Sequence, residues 1–519
     1  MARFKHTDNA QGQFLTVNLK EQIQQGTFEW AVSYIIDRTD LSLFEDKYNN
    51  DVKGAAAYPP NIFLKAVLFC YSRGIISSRK IEKACRENIV VKALAEDCEP
   101  DHGSIAAFIS RGGEEVRDLF AQVLFKCGEL KLITGEMFAI DGCKLPSNAS
   151  KECSGKIDEL KKKKDKLEKY IGRVIKQHKE LDNEEKAHPY GKAAKKQNQF
   201  KKTMGKRNDR KERQLKRLNN KLDNLDRFLQ TAQMRKGLSG GEVKSNITDN
   251  ESGFIKSSKG YIQGYNGVAI ADSGNQIIIV AEVTGTVAES GMFVEMLDRL
   301  EENMKEVTGK EEPLKKALVE GDSGFFTEDN LQEAAKRGIE VLIPDPQFRK
   351  RDPHFEGRKC HCEKKRYGLE DFEYDKNNNC YYCPNGNVLR HQSHQKLRNN
   401  SGHKYQAKRG TCKNCPTINK CINVKTNKNP IRTLYVADQK YEVNLSAEMR
   451  KKIDEPENRE FYSRRQQIIE PVFSDITYCK RMNRFTLQTK RKVTIQWQLY
   501  CIVHNIAKCI RSLEKKYGA

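Results

Sequence analysis

No stretch of this chain approaches the roughly 18 consecutive apolar residues that a membrane-crossing helix requires. The first residues, MARFKHTDNAQGQF, also lack the apolar centre of a signal peptide. These two absences place the expected protein in the cytoplasm, with no membrane partner. Acid is in short supply as well: 70 Asp and Glu stand against 93 Lys and Arg, a formal charge of +23. An excess of that size favours a polyanionic partner, most simply nucleic acid. Sixteen cysteines in 519 residues are too dilute for a secreted disulfide scaffold. In a long cytoplasmic chain they read as buried thiols, and any tight cluster of them reads as a metal site.

What is present begins with helices. A helix is expected near Val32 to Ile36, and Tyr58-Pro59-Pro60 opens a second over Asn61 to Tyr71. Ser77-Ser78 is placed to cap a third through Cys85, and a fourth covers Ile105 to Arg111. Short helices carrying Arg79, Lys80 and Arg111 suit either a helix-turn-helix reader or a plain bundle. From Ile157 to Leu181 a heptad pattern appears, with Leu160, Leu167, Val174 and Leu181 at one core position. Leu215, Leu218, Leu222, Leu225 and Leu229 repeat it, and the basic segment between the two runs predicts an antiparallel hairpin with a flexible tip. Strand-like residues return over 244–272, 276–283, 316–319 and 340–343, with helices over 290–305 and 330–336. That order predicts a mixed α/β sheet covered by helices. Residues 345–455 have little periodicity; helices resume over 458–473 and 494–510.

Three acids stand out. Asp141 ends the apolar run Phe138-Ala139-Ile140, and Gly142 after it reads as the point where the strand turns. A charge in such a place is costly unless paired, and a divalent metal is the usual partner. Asp322 follows a second strand, flanked by Gly321 and Gly324. Glu470 lies on a helix with Tyr462 and Arg465 eight and five residues before it, read as roughly on one side. Three acids holding two metal ions is what phosphodiester cleavage and transfer need. Glu320, on the same strand face as Asp322, is a weaker alternative, and Asp345 between two prolines reads as a turn. His504 and Trp497 read as core residues.

The sharpest local signal is cysteine. Cys380-x-x-Cys383 and Cys412-x-x-Cys415, with Cys421 six residues on, give five candidates for a tetrahedral structural zinc. The adjacent Lys404, Lys408, Arg409 and Lys413 would face DNA.

Taken with YPPNIFLKAVLFCYSRGIISSRKIE, EPDHGSIAAF, AIDGCKLPSNAS, KGYIQGYNG, VEGDSGF and YSRRQQIIEPVF, the chain resembles the DDE transposases of bacterial insertion sequences, in particular the insertion sequence 1182 group. The resemblance implies an RNase-H-like core with Asp141, Asp322 and Glu470 as catalytic, Mg²⁺-binding acids, two ions with Mn²⁺ able to substitute. It implies that Tyr462, Arg465, Lys259, Tyr265 and Asn266 support the site or touch DNA. It implies that Cys383, Cys412, Cys415 and Cys421 are the zinc set. It further implies binding of terminal inverted repeats and target DNA by a homodimer associated with the bacterial nucleoid. The expected division is an N-terminal helical DNA-binding domain over 1–130, the core over 131–155 and 236–345, a helical hairpin insertion over 156–235, a Cys-rich zinc insertion over 346–455, and closing helices over 456–519. Two departures from the related cut-and-paste signature are the longer Arg465 to Glu470 spacing and the distant Lys480. The competing readings are a zinc-containing DNA-binding protein with an inactive nuclease core, and an RNA-processing nuclease.

Overall fold

The computed structural model describes residues 18–48, 56–187, 194–237, 240–257, 260–286, 289–358, 366–397, 400–422, 430–438 and 444–517. Lys259 and the tip of the basic hairpin, 188–193, lie outside them.

The N-terminal region is helical: α1 (Phe28–Ile36), α2 (Ser42–Glu45), α3 (Pro60–Ser72), α4 (Ser78–Glu87), α5 (Ile89–Leu94), α6 (His102–Arg111) and α7 (Glu114–Glu129). Local chemistry sets several starts. Pro60 opens α3, where a missing N–H costs nothing. Asn88 accepts hydrogen bonds from Val90 and Val91 at the start of α5, and Asp101 does the same for Gly103 and Ser104 at α6. Ser77 precedes α4 but makes no capping bond. These helices share one continuous core with the sheet below and with α16 (Lys490–Tyr517). Tyr71 of α3 stacks on Tyr500 of α16 with ring centroids 4.8 Å apart.

The central sheet is built on β1 (Met137–Pro146). After it come a short pair, β2 (Ser154–Gly155) and β3 (Ser245–Asn246), then β4 (Gly253–Ser257), β5 (Gly260–Asp272), β6 (Ile278–Thr284), β7 (Leu318–Gly321) and β8 (Glu340–Leu342). The order is β4-β5-β1-β7-β8, with β6 pairing the second half of β5 on the edge β4 shares. β1 runs antiparallel to β5 and parallel to β7. This is the mixed α/β sheet expected. One expectation is corrected: the strand does not stop at Gly142 but pairs with β5 through Pro146. Its pairing with β7 ends at Ile140 opposite Gly321, so the sheet opens on that side at Asp141.

Between β1 and β4 rise α8 (Ile157–Ala187) and α9 (Ala194–Thr231). Lys164 pairs with Asp226 at 2.7 Å, which sets the start of one helix beside the end of the other. Leu160, Ile171, Val174 and Leu225 are buried along the seam. Most of the basic stretch read as flexible is helical, because α9 already begins at Ala194. The base of the hairpin is pinned by β2 and β3, where Asn246 donates to Ser154 Oγ and the Ser150 carbonyl at 2.8 Å each.

α10 (Phe293–Thr308) and α11 (Glu328–Lys336) follow β6 and β7, and α12 (Phe348–Arg351) leads away from the sheet. Five strands between residues 373 and 437 then form an antiparallel sheet, where the sequence suggested an irregular segment. Its strands are β9 (Glu373–Asp375), β10 (Cys380–Tyr382), β11 (Val388–Leu397), β12 (Asn400–Ala407) and β13 (Thr433–Ala437), with α13 (Ile418–Cys421) beside them. Its own core is small: Phe372, Tyr381, Leu389, Tyr405, Ala407 and Leu434. α14 (Leu445–Asp454) and α15 (Pro456–Ser474) bring the chain back to the central sheet. Among the described residues no helix is long and apolar enough to cross a membrane.

Pro471 lies inside α15, followed by a π-helical turn over Asp475–Cys479. Pro471 cannot donate to the Gln467 carbonyl, and Gln276 Nε2 takes that carbonyl instead at 2.9 Å. Just beyond, Asp475 pairs with Lys480 and accepts from His504 Nδ1 at 2.6 Å, while His504 Nε2 meets the Gln276 carbonyl at 2.9 Å. His504 is 1 % exposed, a core histidine as expected, and Lys480 is spent in this network. Burial would raise the Asp475 carboxyl, but the His504 hydrogen bond and Lys480 outweigh it and hold it at about 2. A depressed acid contributes stability above its unfolded value and loses it as pH falls towards its folded one. Asp475→Asn is therefore expected to cost ~3 kcal/mol at neutral pH by leaving the buried Lys480 without its counter-charge. The gap to wild type should narrow between about pH 4 and about pH 2. Urea unfolding at a series of pH values checks both.

Candidate active site

At the open end of β1 three carboxylates converge. Asp141, Glu289 and Asp322 each offer an oxygen, and those atoms lie within 4.8 Å of one another. Asp141 sits on β1 where β7 falls away, and Asp322 follows the last residue of β7. Glu289 comes from the turn five residues beyond the end of β6, just before α10. Three acids this close oppose one another. Burial, then Asp141, raises the Asp322 carboxyl above its usual range. Burial also raises Glu289, with Lys144 pulling the other way.

Cations and donors hold the group together. Arg465 Nη1 reaches Asp141 Oδ2 at 2.8 Å. Lys144 Nζ and Asn266 Nδ2 both reach Glu289 Oε1 at 2.9 Å. The backbone N–H of Gly142 donates to Asp141, and that of Gly324 donates to Asp322, at 2.7 Å each. Two glycines make the room. A Cβ on Gly142 would come within 2.3 Å of Asn266 Nδ2, and one on Gly324 within 2.9 Å of Glu289 Oε2. Gly142 therefore serves close approach, not a turn. Gly142→Ala is expected either to cost about 1–3 kcal/mol through overpacking or to expel Asn266 from Glu289. Thermal unfolding and a DNA-nicking assay measure the two effects together.

Beneath the group lies Glu320, fully buried, with neither carboxylate oxygen hydrogen-bonded. Burial pushes its carboxyl up to about 8. Arg465 Nε and Asn266 Oδ1 are likewise buried without partners. An all-oxygen set of three carboxylates suits a hard divalent cation such as Mg²⁺ or Mn²⁺, and these orphaned atoms around it mark a site with capacity to spare.

The other expected residues fall as follows. Tyr462 is half-buried, edge-on to Phe348 at 5.6 Å, with the Arg465 guanidinium 5.7 Å from its ring centre. Asn266 supports the site through Glu289. Tyr265 is fully buried, and its hydroxyl bonds both oxygens of Asp249 at 2.8 and 2.9 Å, which leaves it no surface from which to touch DNA. Glu470 is not brought into the group. Arg465, Ile468, Ile469 and Val472 form the buried face of α15, and Glu470 is exposed, about 140° around the helix from Arg465. Asp345 is buried against Arg351 at 2.6 Å and accepts from the Gln347 N–H, a structural turn. Glu289 and Lys144 were not singled out from the sequence. The signal for Glu289 was fainter, because it stands five residues past the end of β6 rather than at it.

In the second sheet Cys383, Cys412, Cys415 and Cys421 line one apolar pocket, and Cys380 does not. No three of their sulfurs lie within 4.8 Å of one another, so an ion would draw them inward. Burial raises the Cys421 thiol, while the Thr417 hydrogen bonds outweigh burial at Cys415 and lower it. Lys408, Arg409 and Lys413 are exposed beside this pocket.

Two family models match the chain. One, described as Transposase DDE domain, covers residues 382–510, which include the four cysteines, Tyr462, Arg465 and Glu470 but neither Asp141 nor Asp322. The other, Transposase domain (DUF772), covers 17–111 of the helical region. No curated protein matches the chain. Two separate segments thus return transposase domains, and together they support a DDE transposase, a class whose partner is DNA and whose chemistry depends on divalent metal.

Proposed function

We propose that this protein is a transposase of the insertion sequence 1182 group, which binds the terminal inverted repeats of its own element, cleaves at the element ends and joins the freed 3′ hydroxyls to target DNA. The observation that carries this reading is the meeting of Asp141, Glu289 and Asp322 at the open end of the sheet. The strand order β6-β5-β1-β7-β8, with only β5 antiparallel to the rest, supports an RNase-H-like core. Asp141 and Asp322 would hold Mg²⁺, and Glu289 is the acid in reach for the third place; Glu470 is the alternative third acid. Two such ions supply an activated hydroxyl and stabilise the leaving oxygen. The protein's own groups do the rest. Arg465 fixes the Asp141 carboxylate and offers its remaining N–H groups to a phosphate oxygen. Lys144 and Asn266 hold Glu289. The formal charge of +23 draws DNA to the surface and makes binding strongly salt-dependent. Cleavage at both ends at once calls for two copies on DNA. A structural zinc at Cys383, Cys412, Cys415 and Cys421 would brace the second sheet.

The test is incubation of the purified protein with a duplex carrying the element's ends and Mg²⁺. Nicks leaving 3′ hydroxyls at the element–donor junction are expected. A protein that binds the repeats in a gel shift but leaves both strands intact with Mg²⁺ and with Mn²⁺ overturns the enzyme reading. That outcome would favour a zinc-containing DNA-binding protein with an inactive core, a reading the exposed position of Glu470 keeps in view.

A further inference from the structure

A second cluster of metal-ligating side chains lies on the five-stranded sheet, outside the acids and the cysteines. His394 of β11 and His403 of β12 are direct cross-strand partners. Asp438 follows β13 and is tied to β12 by its backbone N–H, which donates to the Ser401 carbonyl at 2.9 Å. One oxygen of Asp438 lies 2.7 Å from His394 Nε2 and the other 3.6 Å from His403 Nε2. All three residues offer a ligand atom within 4.8 Å of the others, and all are partly open to solvent.

A fourth residue completes the arrangement. His391 precedes His394 by three positions and in a regular strand would face the opposite side. The pairing of β11 with β12 shifts register between His391 and Ser393, and this bulge turns His391 onto the same face. Its Nε2 meets His403 Nδ1 at 2.9 Å. If His403 Nδ1 carries the proton and donates it to His391, the lone pair of His403 Nε2 is left facing Asp438. An orienting hydrogen bond on the far ring nitrogen is the usual support of a metal-bound histidine.

We propose that His394, His403 and Asp438 bind a divalent transition-metal ion of the zinc class, with His391 as a positioning residue. Two imidazoles and one carboxylate select a borderline ion rather than Mg²⁺, which prefers oxygen, and three protein ligands leave a coordination position open to solvent. The site is chemically distinct from both the all-carboxylate group and the four-thiolate pocket. It stands independently of the transposase reading.

The experiment uses the full chain, stripped of metal and then titrated with Zn²⁺ in excess Mg²⁺, so that the carboxylate group is competed. Bound zinc is counted by elemental analysis, and affinity is followed by calorimetry. His394→Ala and Asp438→Asn are each expected to remove about one zinc equivalent relative to wild type. His391→Ala is expected to weaken that same equivalent by about 10–100-fold without abolishing it. Circular dichroism confirms that the variants, at the exposed His394 and Asp438 and the partly buried His391, keep the sheet. Equal zinc content and equal affinity in wild type, His394→Ala and Asp438→Asn would overturn the proposal. A stoichiometry that falls in Cys412→Ser but in none of the histidine variants would do the same.

Discussion

Alanine at Asp141 or at Asp322 is expected to lower cleavage of repeat-bearing DNA by about 10³-fold or more, which is ~4 kcal/mol of transition-state stabilisation. Binding to the same DNA should change little, because affinity rests on basic side chains and not on the acids. Indeed, removing a negative charge that faces the phosphate should strengthen binding slightly. The informative pair is Glu289→Ala and Glu470→Ala. The geometry expects Glu289→Ala to match the two aspartates and Glu470→Ala to retain most activity, since Glu289 lies within the group and Glu470 on the exposed side of α15. The reverse result would mean that DNA binding turns or shifts α15 until Glu470 replaces Glu289. Nicking rates and gel shifts on the four variants, measured side by side at one salt concentration, decide between these outcomes.

Removal of zinc is expected to have the second large effect. Among the described residues the second sheet buries six hydrophobic residues in its own cluster, too few to hold five strands firmly. Structural zinc in small domains contributes apparent free energies of about 10–16 kcal/mol. Chelation, or Cys412→Ser, should therefore abolish slow amide exchange over β10 to β13 while leaving β1, β5 and α16 protected within the main core. Cys380→Ser serves as the internal control. Cys380 is buried in β10 and does not line the pocket, so its replacement should leave bound zinc unchanged. A sheet that keeps its protection in chelator would show that packing alone holds it. The Cys380 control also separates loss of a ligand from loss of a packed thiol.

The two sites differ in how much of them could be read in advance. Asp141 and Asp322 carry a local signature, an apolar strand that runs into a carboxylate, and that signature survives without coordinates. Helix and strand order was legible for the same reason: burial on one face imposes a period of 3.6 or 2 on the residues themselves. The second sheet was missed because its two longest strands, β11 and β12, are mostly polar and bury too few apolar residues to set a period. β11, for instance, reads VLRHQSHQKL, with no alternation for a buried face to impose.

The sequence by itself determined the mixed sheet, the antiparallel helical hairpin, the positions of two acids and the pool of five cysteines. Each of these follows from short-range pattern: periodicity, strand-end charge, thiol spacing. Only the tertiary structure decided that Glu289 joins Asp141 and Asp322, that Glu470 faces outward and that Gly142 makes way for Asn266. Those facts depend on helix phase and on strand register. A one-residue change in any of these sends a side chain to the opposite face while leaving the local sequence untouched.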